Sequence, residues 1–215
     1  MLKVYGASLS PFARKVLLTL EFKGLSYEHI PTSPFAPTPE FLAKSPLRKI
    51  PVLDHDDLSI PDSSIICRYL EEAFPAKPFY PASAKDRARA SWIEEYADTK
   101  LIEIMAAFFF ERFVKPNLLK QPPDEARVAN AAAQAPAVMA YLESIAPASG
   151  FLFGDLTIAD ASIASMIING QYAGYSLDKA ATPKLAALLD RVLATPVFVA
   201  RLAKERVDMA ALAGG

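Results

Sequence analysis

The sequence predicts an α/β domain followed by an all-helical domain, and three observations support this order. The first 70 or so residues alternate short apolar runs with helical patterns. Three prolines then fall within residues 75–81, and every pattern beyond residue 85 has helical spacing. We therefore predict an α/β domain over residues 1–75, a linker over 76–84 and an all-α domain over 85–215.

The composition predicts a globular protein whose net charge does not indicate binding to polyanions. Of 215 residues, 52% are hydrophobic and 22% are charged, and the formal net charge is −1. We find neither a signal peptide nor an apolar run of the ~20 residues that cross a bilayer. We expect a cytoplasmic protein that binds neither nucleic acid nor a membrane.

The few cysteines and histidines exclude several kinds of site. Cys67 is the single cysteine, so the chain has no intramolecular disulfide and no Cys-x-x-Cys pair. It lies in an apolar helical run, where a buried, unreactive thiol is expected. His29 and His55 have no partners at metal-ligand spacing, so we expect no metal site.

The N-terminal region begins as a strand, a helix and a second strand. Leu2–Tyr5 and Tyr27–Ile30 are the strands, and the helix runs from Pro11 to the residue before Gly24. Two strands joined by a helix form a parallel pair with a right-handed crossover.

A short helix, a hairpin and a third helix complete the α/β region. The helix covers Pro39–Lys44, and the hairpin joins a strand at Ile50–Leu53 to one at Leu58–Ile60 through Asp56-Asp57. Pro51 suits a strand start because it donates no ladder hydrogen bond, and its peptide bond could be cis.

Asp62 and Ser63 mark the start of the third helix, which carries the apolar positions Ile65, Ile66 and Leu70. The free N–H groups of a first helical turn favour a carboxylate ligand. An acidic peptide bound here and an ordinary capped helix are both open interpretations.

The second half of the chain predicts an all-helical fold with Trp92 in the core-facing series. Thr157 and Asp160 form a capping-box pattern. The predicted helices are Lys85–Val114, Asp124–Ile145 with a kink at Pro136, Thr157–Tyr172, Lys184–Ala194 and Pro196–Lys204.

Three motifs give the chain a family resemblance. Lys-Ile-Pro-Val-Leu followed by Asp-Ser-x-Ile-Ile-x-x-Tyr-Leu resembles the glutathione-binding half of the cytosolic glutathione S-transferases. Tyr-Gly-x-x-x-Ser-Pro-Phe-x-Arg-Lys-Val is similar to the opening of serine-containing bacterial-type members, and Thr-x-Ala-Asp to their second domain. The resemblance implies a thioredoxin-like N-terminal domain plus an all-α C-terminal domain that contributes a hydrophobic pocket.

The resemblance also implies an activity. Glutathione would bind as its thiolate and attack an apolar electrophile, typically in detoxification, with no cofactor beyond glutathione as co-substrate. A homodimer is expected, with the helices around Tyr69 and Trp92 at its interface. A glutathione-dependent isomerase or dehalogenase and a non-catalytic binding protein on the same fold stay open as alternatives.

Ser10 and Ser8 are the candidate catalytic residues. A hydroxyl that donates a hydrogen bond to a thiolate lowers the thiol pKa. Ser10 occupies the position where omega-class members carry a cysteine, although a plain helix cap is also open for it. In delta- and zeta-type members the activating serine lies one or more residues further from the proline or arginine, and the equivalent position here is Leu9. Ser8 therefore competes with Ser10, and Tyr5 is a third candidate.

The resemblance assigns glutathione contacts to four residues: Ile50, Pro51, Asp62 and Ser63. The main chain of Ile50 would pair with the cysteinyl unit beside a cis Pro51. Asp62 and Ser63 would receive the γ-glutamyl group. Lys49 is a further candidate that would face the glycyl carboxylate, with a solvated lysine at the strand edge as the open alternative. Arg48 stands where many members have glycine.

Phe108, Phe109, Phe110 and Phe113 form an aromatic cluster late in the predicted helix Lys85–Val114. Successive helical residues are turned by about 100°, so three consecutive phenylalanines cannot share one face. We expect most of them in the core and predict that Phe109 or Phe113 lines the substrate pocket.

Overall fold

The computed structural model describes residues 1–213, with side chains described through residue 210. Its strands are β1 (Leu2–Tyr5), β2 (Tyr27–Ile30), β3 (Val52–His55) and β4 (Leu58–Ile60). Its α-helices are α1 (Pro11–Lys23), α2 (Pro39–Lys44), α3 (Ser63–Ala73), α4 (Ala84–Tyr96), α5 (Ile102–Phe109), α6 (Glu125–Ile145), α7 (Ile158–Tyr172), α8 (Pro183–Leu193) and α9 (Pro196–Ala213). Ala97–Leu101 and Phe110–Leu119 are π-helical.

The four strands form one mixed sheet in the order β2-β1-β3-β4. β1 and β2 are parallel, and β3 is antiparallel to both β1 and β4. The predicted β-α-β unit and hairpin are therefore confirmed, with Asp56 in the turn at φ 54°. The third strand begins at Val52 rather than at the predicted Ile50, because Pro51 has no N–H group for the ladder.

Helix α1 has both of its predicted ends. The Ser10 hydroxyl accepts a hydrogen bond from the Ala13 N–H at 3.3 Å, and Pro11 is the first helical residue. Gly24 ends the helix at φ 71°, in the left-handed region that glycine occupies without a steric penalty. α1 is buried on nearly every face, so its polar side chains need partners inside the protein.

The long predicted helix Lys85–Val114 is helical throughout but alternates between two kinds of helix. α4 passes into the π-helical segment Ala97–Leu101, and α5 passes into a second one, Phe110–Leu119. Pro116 lies inside the second segment. Proline removes a hydrogen bond from a regular α-helix, which favours a changed helical pitch around it.

Trp92 corrects the predicted core. Its side chain is 55% exposed, whereas Ala90, Ile93 and Ala97 supply the buried face of this helix. The indole N–H of Trp92 donates a hydrogen bond to the Tyr141 hydroxyl at 2.7 Å. The indole therefore lies along the surface, where its polar edge has a partner.

Helices α6 to α9 follow the predicted order. α6 continues through Pro136, and α9 extends to Ala213, beyond the predicted end at Lys204. The capping box is confirmed, since the Asp160 carboxylate accepts hydrogen bonds from the Thr157 N–H at 2.9 Å and the Thr157 hydroxyl at 2.8 Å.

Residues 74–83, between α3 and α4, contain neither a helix nor a strand. The buried Lys23 ammonium fixes this segment against α1 by donating to the carbonyl oxygens of Phe74 at 3.0 Å and Lys77 at 2.8 Å. The predicted division into domains and linker stays a prediction. Within residues 1–213, no helix combines the length and the apolar character that a bilayer span requires.

Candidate functional site

Gly6 lies where three segments of the chain meet. Tyr5 pairs with Val52, which brings the end of β1 to the Pro51 loop. A Cβ atom added at Gly6 would lie 3.1 Å from the Ala13 Cβ and 3.6 Å from the Pro51 Cβ. The close approach therefore favours glycine, and it holds the loop after β1 beside both the first turn of α1 and Pro51.

Ser10 has a hydroxyl proton that is available to a ligand. Its oxygen already accepts the Ala13 N–H as the cap of α1. Its own O–H has no acceptor among the described residues, and the side chain is partly exposed. Ser10 can therefore cap the helix and donate to a bound anion at once.

Ser8 differs from Ser10 because its hydroxyl proton already makes a hydrogen bond within the protein. Its side chain is buried, and its Oγ donates a hydrogen bond to the Asp208 Oδ2 at 2.5 Å. A hydroxyl donates one hydrogen bond only. In this arrangement Ser8 can accept a hydrogen bond from a ligand but cannot donate one.

A buried network fixes the loop that carries both serines. Arg14 is fully buried and makes a two-pronged ion pair with Glu205, with both N–O distances 2.7 Å. Arg14 also donates to the carboxamide oxygen of Asn169 at 2.7 Å, and the Asn169 amide donates to the Leu9 carbonyl at 2.9 Å. The backbone between the serines is thus tied to α7 and α9.

Tyr5 has a different environment from the serines. The Lys44 ammonium lies 5.3 Å from the centroid of its ring. Burial and the nearby Asp54 carboxylate raise the pKa of Tyr5 above its ordinary value. A phenol with a raised pKa holds its proton more firmly than an ordinary phenol, which makes Tyr5 a poorer thiol activator than an unperturbed tyrosine.

The loop before β3 leaves the backbone of Ile50 open. The Ile50–Pro51 peptide bond is cis, as predicted. The buried Ser45 hydroxyl donates to the Lys49 carbonyl at 2.7 Å and accepts from its N–H at 3.0 Å. Arg48 has φ 56°, in the region that glycine prefers, and the Lys49 side chain is exposed. In the described part of the chain, the Ile50 N–H and C=O make no hydrogen bond.

Asp62 and Ser63 form the first turn of α3. The exposed Asp62 carboxylate accepts the N–H groups of Ser64 and Ile65 through Oδ1, both at 3.0 Å. Among residues 1–213, its other oxygen has no hydrogen-bond donor. Ser63 is buried as the first helical residue. The turn therefore offers a free carboxylate oxygen and a helix N-terminus to a ligand.

Lys15 lies behind this turn and was missed as a site residue. Its buried ammonium donates to Ser64 and Glu94 at 2.9 Å and to Asp98 at 2.5 Å. Burial favours the neutral amine, but the charges of Asp98 and Glu94 outweigh it and raise the pKa of Lys15. Burial also raises the pKa of Asp98, which the Lys15 charge offsets only in part. The sequence signal that could have identified Lys15 is its position as a basic residue within the apolar pattern of α1.

The aromatic cluster divides between two environments. Phe109 and Phe113 stack with ring centroids 4.8 Å apart and planes 11° from parallel, and both are partly buried. Phe110 lies 6.3 Å from Phe35, an exposed residue of the loop after β2 that the sequence did not single out. Phe108 is buried. The role of Phe109 or Phe113 in a substrate pocket stays a prediction.

Cys67 and the two histidines have local structural partners. Burial raises the pKa of the Cys67 thiol to about 12, and Cys67 lies 3.3 Å from the Thr19 hydroxyl, so the predicted buried thiol is confirmed. His29 is hydrogen-bonded to the Gly6 carbonyl at 2.9 Å and His55 to the Tyr69 hydroxyl at 2.6 Å. Within residues 1–213, no three His, Cys, Asp or Glu side chains are clustered in a way suited to a metal ion.

Both halves of this architecture match one family of proteins. Residues 4–78 match the N-terminal domain of glutathione S-transferase, and residues 109–205 match its C-terminal domain. The fold is similar to a glutathione S-transferase from Rhodospirillum rubrum F11, at 29% identity and a TM-score of 0.82, over 92% of this chain and 90% of that one. It is also similar to a solved glutathione S-transferase III, at 30% identity and a TM-score of 0.81, over 94% of this chain and 95% of that one.

Curated relatives match a shorter segment. Glutathione S-transferase 1 of Dianthus caryophyllus is 42% identical over 90 residues, which cover 40% of this chain and 41% of that protein. A probable glutathione S-transferase of Solanum tuberosum is 34% identical over 108 residues, half of each chain. The chain thus spans half or less of the length of these curated relatives. Its domain matches and full-length structural likeness show that it belongs to the glutathione S-transferase family.

Proposed function

We propose that the protein is a glutathione S-transferase in activity as well as in fold. Glutathione binds beside the Pro51 loop, loses its thiol proton to solvent, and attacks an electrophilic carbon of an apolar second substrate. The carbon–sulfur bond forms as the leaving group departs with its electron pair, or as the attacked double bond accepts the pair. The observation that carries this proposal is the free Ser10 hydroxyl proton at the N-terminus of α1, whose Ala13 lies on one side of Gly6 while Pro51 lies beside the same glycine.

The tripeptide lies across the loop before β3 and the start of α3. The unpaired backbone of Ile50 forms main-chain hydrogen bonds with its cysteinyl unit, as an extended peptide does at a strand edge. The free Asp62 oxygen receives the γ-glutamyl ammonium, and Ser63 with the α3 N-terminus receives the γ-glutamyl carboxylate. The exposed Lys49 faces the glycyl carboxylate.

Ser10 is the thiol activator, and Ser8 has a secondary place that is open to it only when its hydroxyl turns away from Asp208. A hydrogen bond to the thiolate stabilises the charged form, and the positive end of α1 acts in the same direction. Ser8 is secondary because its proton already belongs to the bond with Asp208. The serine-containing opening, which resembles bacterial-type members, supports this assignment.

The second substrate is apolar and contacts the stacked pair Phe109 and Phe113, which supplies a broad aromatic surface. The activation scheme uses no metal or redox cofactor, and glutathione serves as co-substrate. We expect a cytoplasmic detoxification enzyme.

The active form is a homodimer that joins through the helices around Tyr69 and Trp92. Ile65 on α3 and Trp92 on α4 support this interface, because both are large hydrophobic side chains that are about half exposed, at 49% and 55%. Large exposed apolar side chains on neighbouring elements are typical of interaction surfaces.

Ultraviolet absorbance of the thiolate tests the proposal. Glutathione is titrated into the protein across a pH series, and we expect an apparent thiol pKa below that of free glutathione. Ser10→Ala should raise this pKa, whereas Ser149→Ala, at an exposed serine, should leave it unchanged. Binding without a thiolate would favour a glutathione carrier, and no binding at millimolar glutathione would refute the enzyme proposal. An isomerase or dehalogenase would form the thiolate but show conversion only with its own substrate class.

A further inference from the structure

A cavity of about 330 Å³ opens between α5, α6 and the chain segment that follows α7. Its volume falls within the range of roughly 300–1,000 Å³ that is typical of small-molecule sites. None of the residues assigned to glutathione lines it, and neither Phe109 nor Phe113 does. The cavity is therefore separate from the transferase site.

The α6 side of the cavity is formed by small side chains and by one larger one, Met139. Ala132, Ala135 and Ala140 line it together with Pro136. Short side chains leave the space that a larger residue would fill, and their surface is apolar. This wall suits the flat face of a ring.

The opposite side is a rigid aromatic wall. Phe108 and Tyr175 meet edge to face, with ring centroids 5.3 Å apart and planes at 74°. The Tyr175 N–H donates to the Gly170 carbonyl at 2.8 Å. A Cβ atom at Gly170 would lie 2.3 Å from the Met105 sulfur and 3.1 Å from the Tyr175 Cβ, so glycine allows the tight packing that holds this wall.

Tyr175 and Asp178 provide polar groups in the cavity. The Tyr175 hydroxyl has no hydrogen-bond partner among the described side chains and backbone groups. Asp178 caps its own turn by accepting the N–H groups of Ala180 and Ala181 at 3.0 and 3.1 Å, both through Oδ1. Burial and the negative charge of Asp178 raise the pKa of Tyr175, as expected for two neighbouring groups.

The charge of Asp178 is uncompensated. No basic side chain of the described residues lies within 4.0 Å of its carboxylate. Arg112 lies at the cavity rim, since its guanidinium is 5.6 Å from the centre of the Phe108 ring and 3.8 Å from the position of a Cβ atom at Gly174, but its charge is paired with Glu125 at 2.6 Å. Lys179, next in sequence, pairs with Asp190 at 3.7 Å. The cavity therefore favours a cation.

We infer that this cavity is a second binding site, for a small aromatic amine. The ring lies between the alanines of α6 and the partly exposed Tyr175, and the protonated nitrogen bonds to the Asp178 carboxylate and the Tyr175 hydroxyl. A charge-assisted hydrogen bond and two aromatic neighbours give the amine a preference over an anion of the same shape. Binding does not require glutathione.

Calorimetric titration of the full chain with naphthylmethylamine tests the inference, and naphthoic acid serves as the anion of matched shape. We expect one amine per chain, unchanged when S-hexylglutathione occupies the glutathione site, and at least tenfold weaker binding of the acid. Asp178→Asn keeps the capping oxygen but removes the charge, so it should weaken amine binding about tenfold. Equal affinity for the two probes, or competition by S-hexylglutathione, would overturn the inference.

Two phenylalanine variants on α6 localise the binding. Ala140→Phe places a ring in the cavity and should abolish binding, whereas Ala137→Phe adds the same ring at an exposed position outside the cavity and should not. Circular dichroism and thermal unfolding establish that both variants are folded. Amine binding that survives Ala140→Phe, or no amine binding to the unmodified chain, would show that the cavity is not a site of this kind.

Discussion

The Ser8 hydroxyl donates to the Asp208 carboxylate at 2.5 Å, joining residues 200 positions apart. This bond ties the end of α9 to the loop that follows β1. It also gives Ser8 and Ser10 different chemistry, because the Ser8 hydroxyl proton is already donated to Asp208 while the Ser10 hydroxyl proton is available to a ligand. Asp208 adds a negative charge to the region where we propose that a thiolate forms, and that charge opposes ionisation of the thiol.

Exchanging these three residues should move the pKa of bound glutathione in opposite directions. Ser10→Ala should raise the apparent thiol pKa by about 1–2 units, since a hydrogen bond to a charged group contributes roughly 1.5–3 kcal/mol and one unit is about 1.4 kcal/mol. Asp208→Asn should lower it, because asparagine still accepts from Ser8 but carries no charge. Ser8→Ala should change it least. Thiolate absorbance against pH measures all three, and a larger rise in Ser8→Ala than in Ser10→Ala would transfer the role to Ser8.

Local sequence signals were sufficient to predict several of the helix ends. The Ser10 cap, Pro11 at the first helical position and the Thr157–Asp160 capping box depend on residues within one turn of each other. The bond between Ser8 and Asp208 could not be predicted in the same way, because it depends on how α9 packs in three dimensions.

The sequence also could not predict the type of each helix or the direction in which some side chains face. Continuous apolar spacing predicted a helix over Lys85–Val114 but cannot distinguish an α-helix from the π-helical segments within it. Trp92 matched the apolar series, yet its indole N–H is better placed at the surface beside Tyr141. Lys15 was recognised only as part of a motif, because its partners Glu94 and Asp98 come from a distant helical stretch.

The buried pair of Arg14 and Glu205 should be essential to stability. Arg14→Met leaves the Glu205 carboxylate buried without its main partner, which typically costs about 3–5 kcal/mol. Urea unfolding measures this loss. Lys100→Met is the matched control, because it breaks an exposed pair with Glu103 that solvent screens, so its loss of stability should be far smaller. Similar losses in the two variants would show that the buried pair is no more important than a surface one.

Cys67 should react only when the protein opens. Its thiol pKa is raised to about 12 by burial, whereas an unfolded cysteine ionises near pH ~8.5. At a pH of about 8, below both values, the native protein should therefore resist iodoacetamide, and the rate should rise on addition of urea. The raised native pKa also means that stability from this group is complete below about pH 8.5 and declines as the pH approaches about 12. Cys67→Ala should reduce that decline, and rapid labelling of the native protein would contradict the buried thiol.

The proposed homodimer should be sensitive to charge on α3 and α4. Ile65→Asp or Trp92→Asp would bury an unpaired carboxylate if these side chains lie in the interface, a cost of several kcal/mol that should shift dimers to monomers. Val207→Asp introduces the same charge at a hydrophobic residue on α9 that is 70% exposed, and it should leave association unchanged. Sedimentation velocity of the three variants and the unmodified chain at equal concentrations gives the comparison. If the unmodified chain sediments as a monomer, the dimer is refuted. If it sediments as a dimer and all three variants do the same, association occurs through a surface that excludes Ile65 and Trp92.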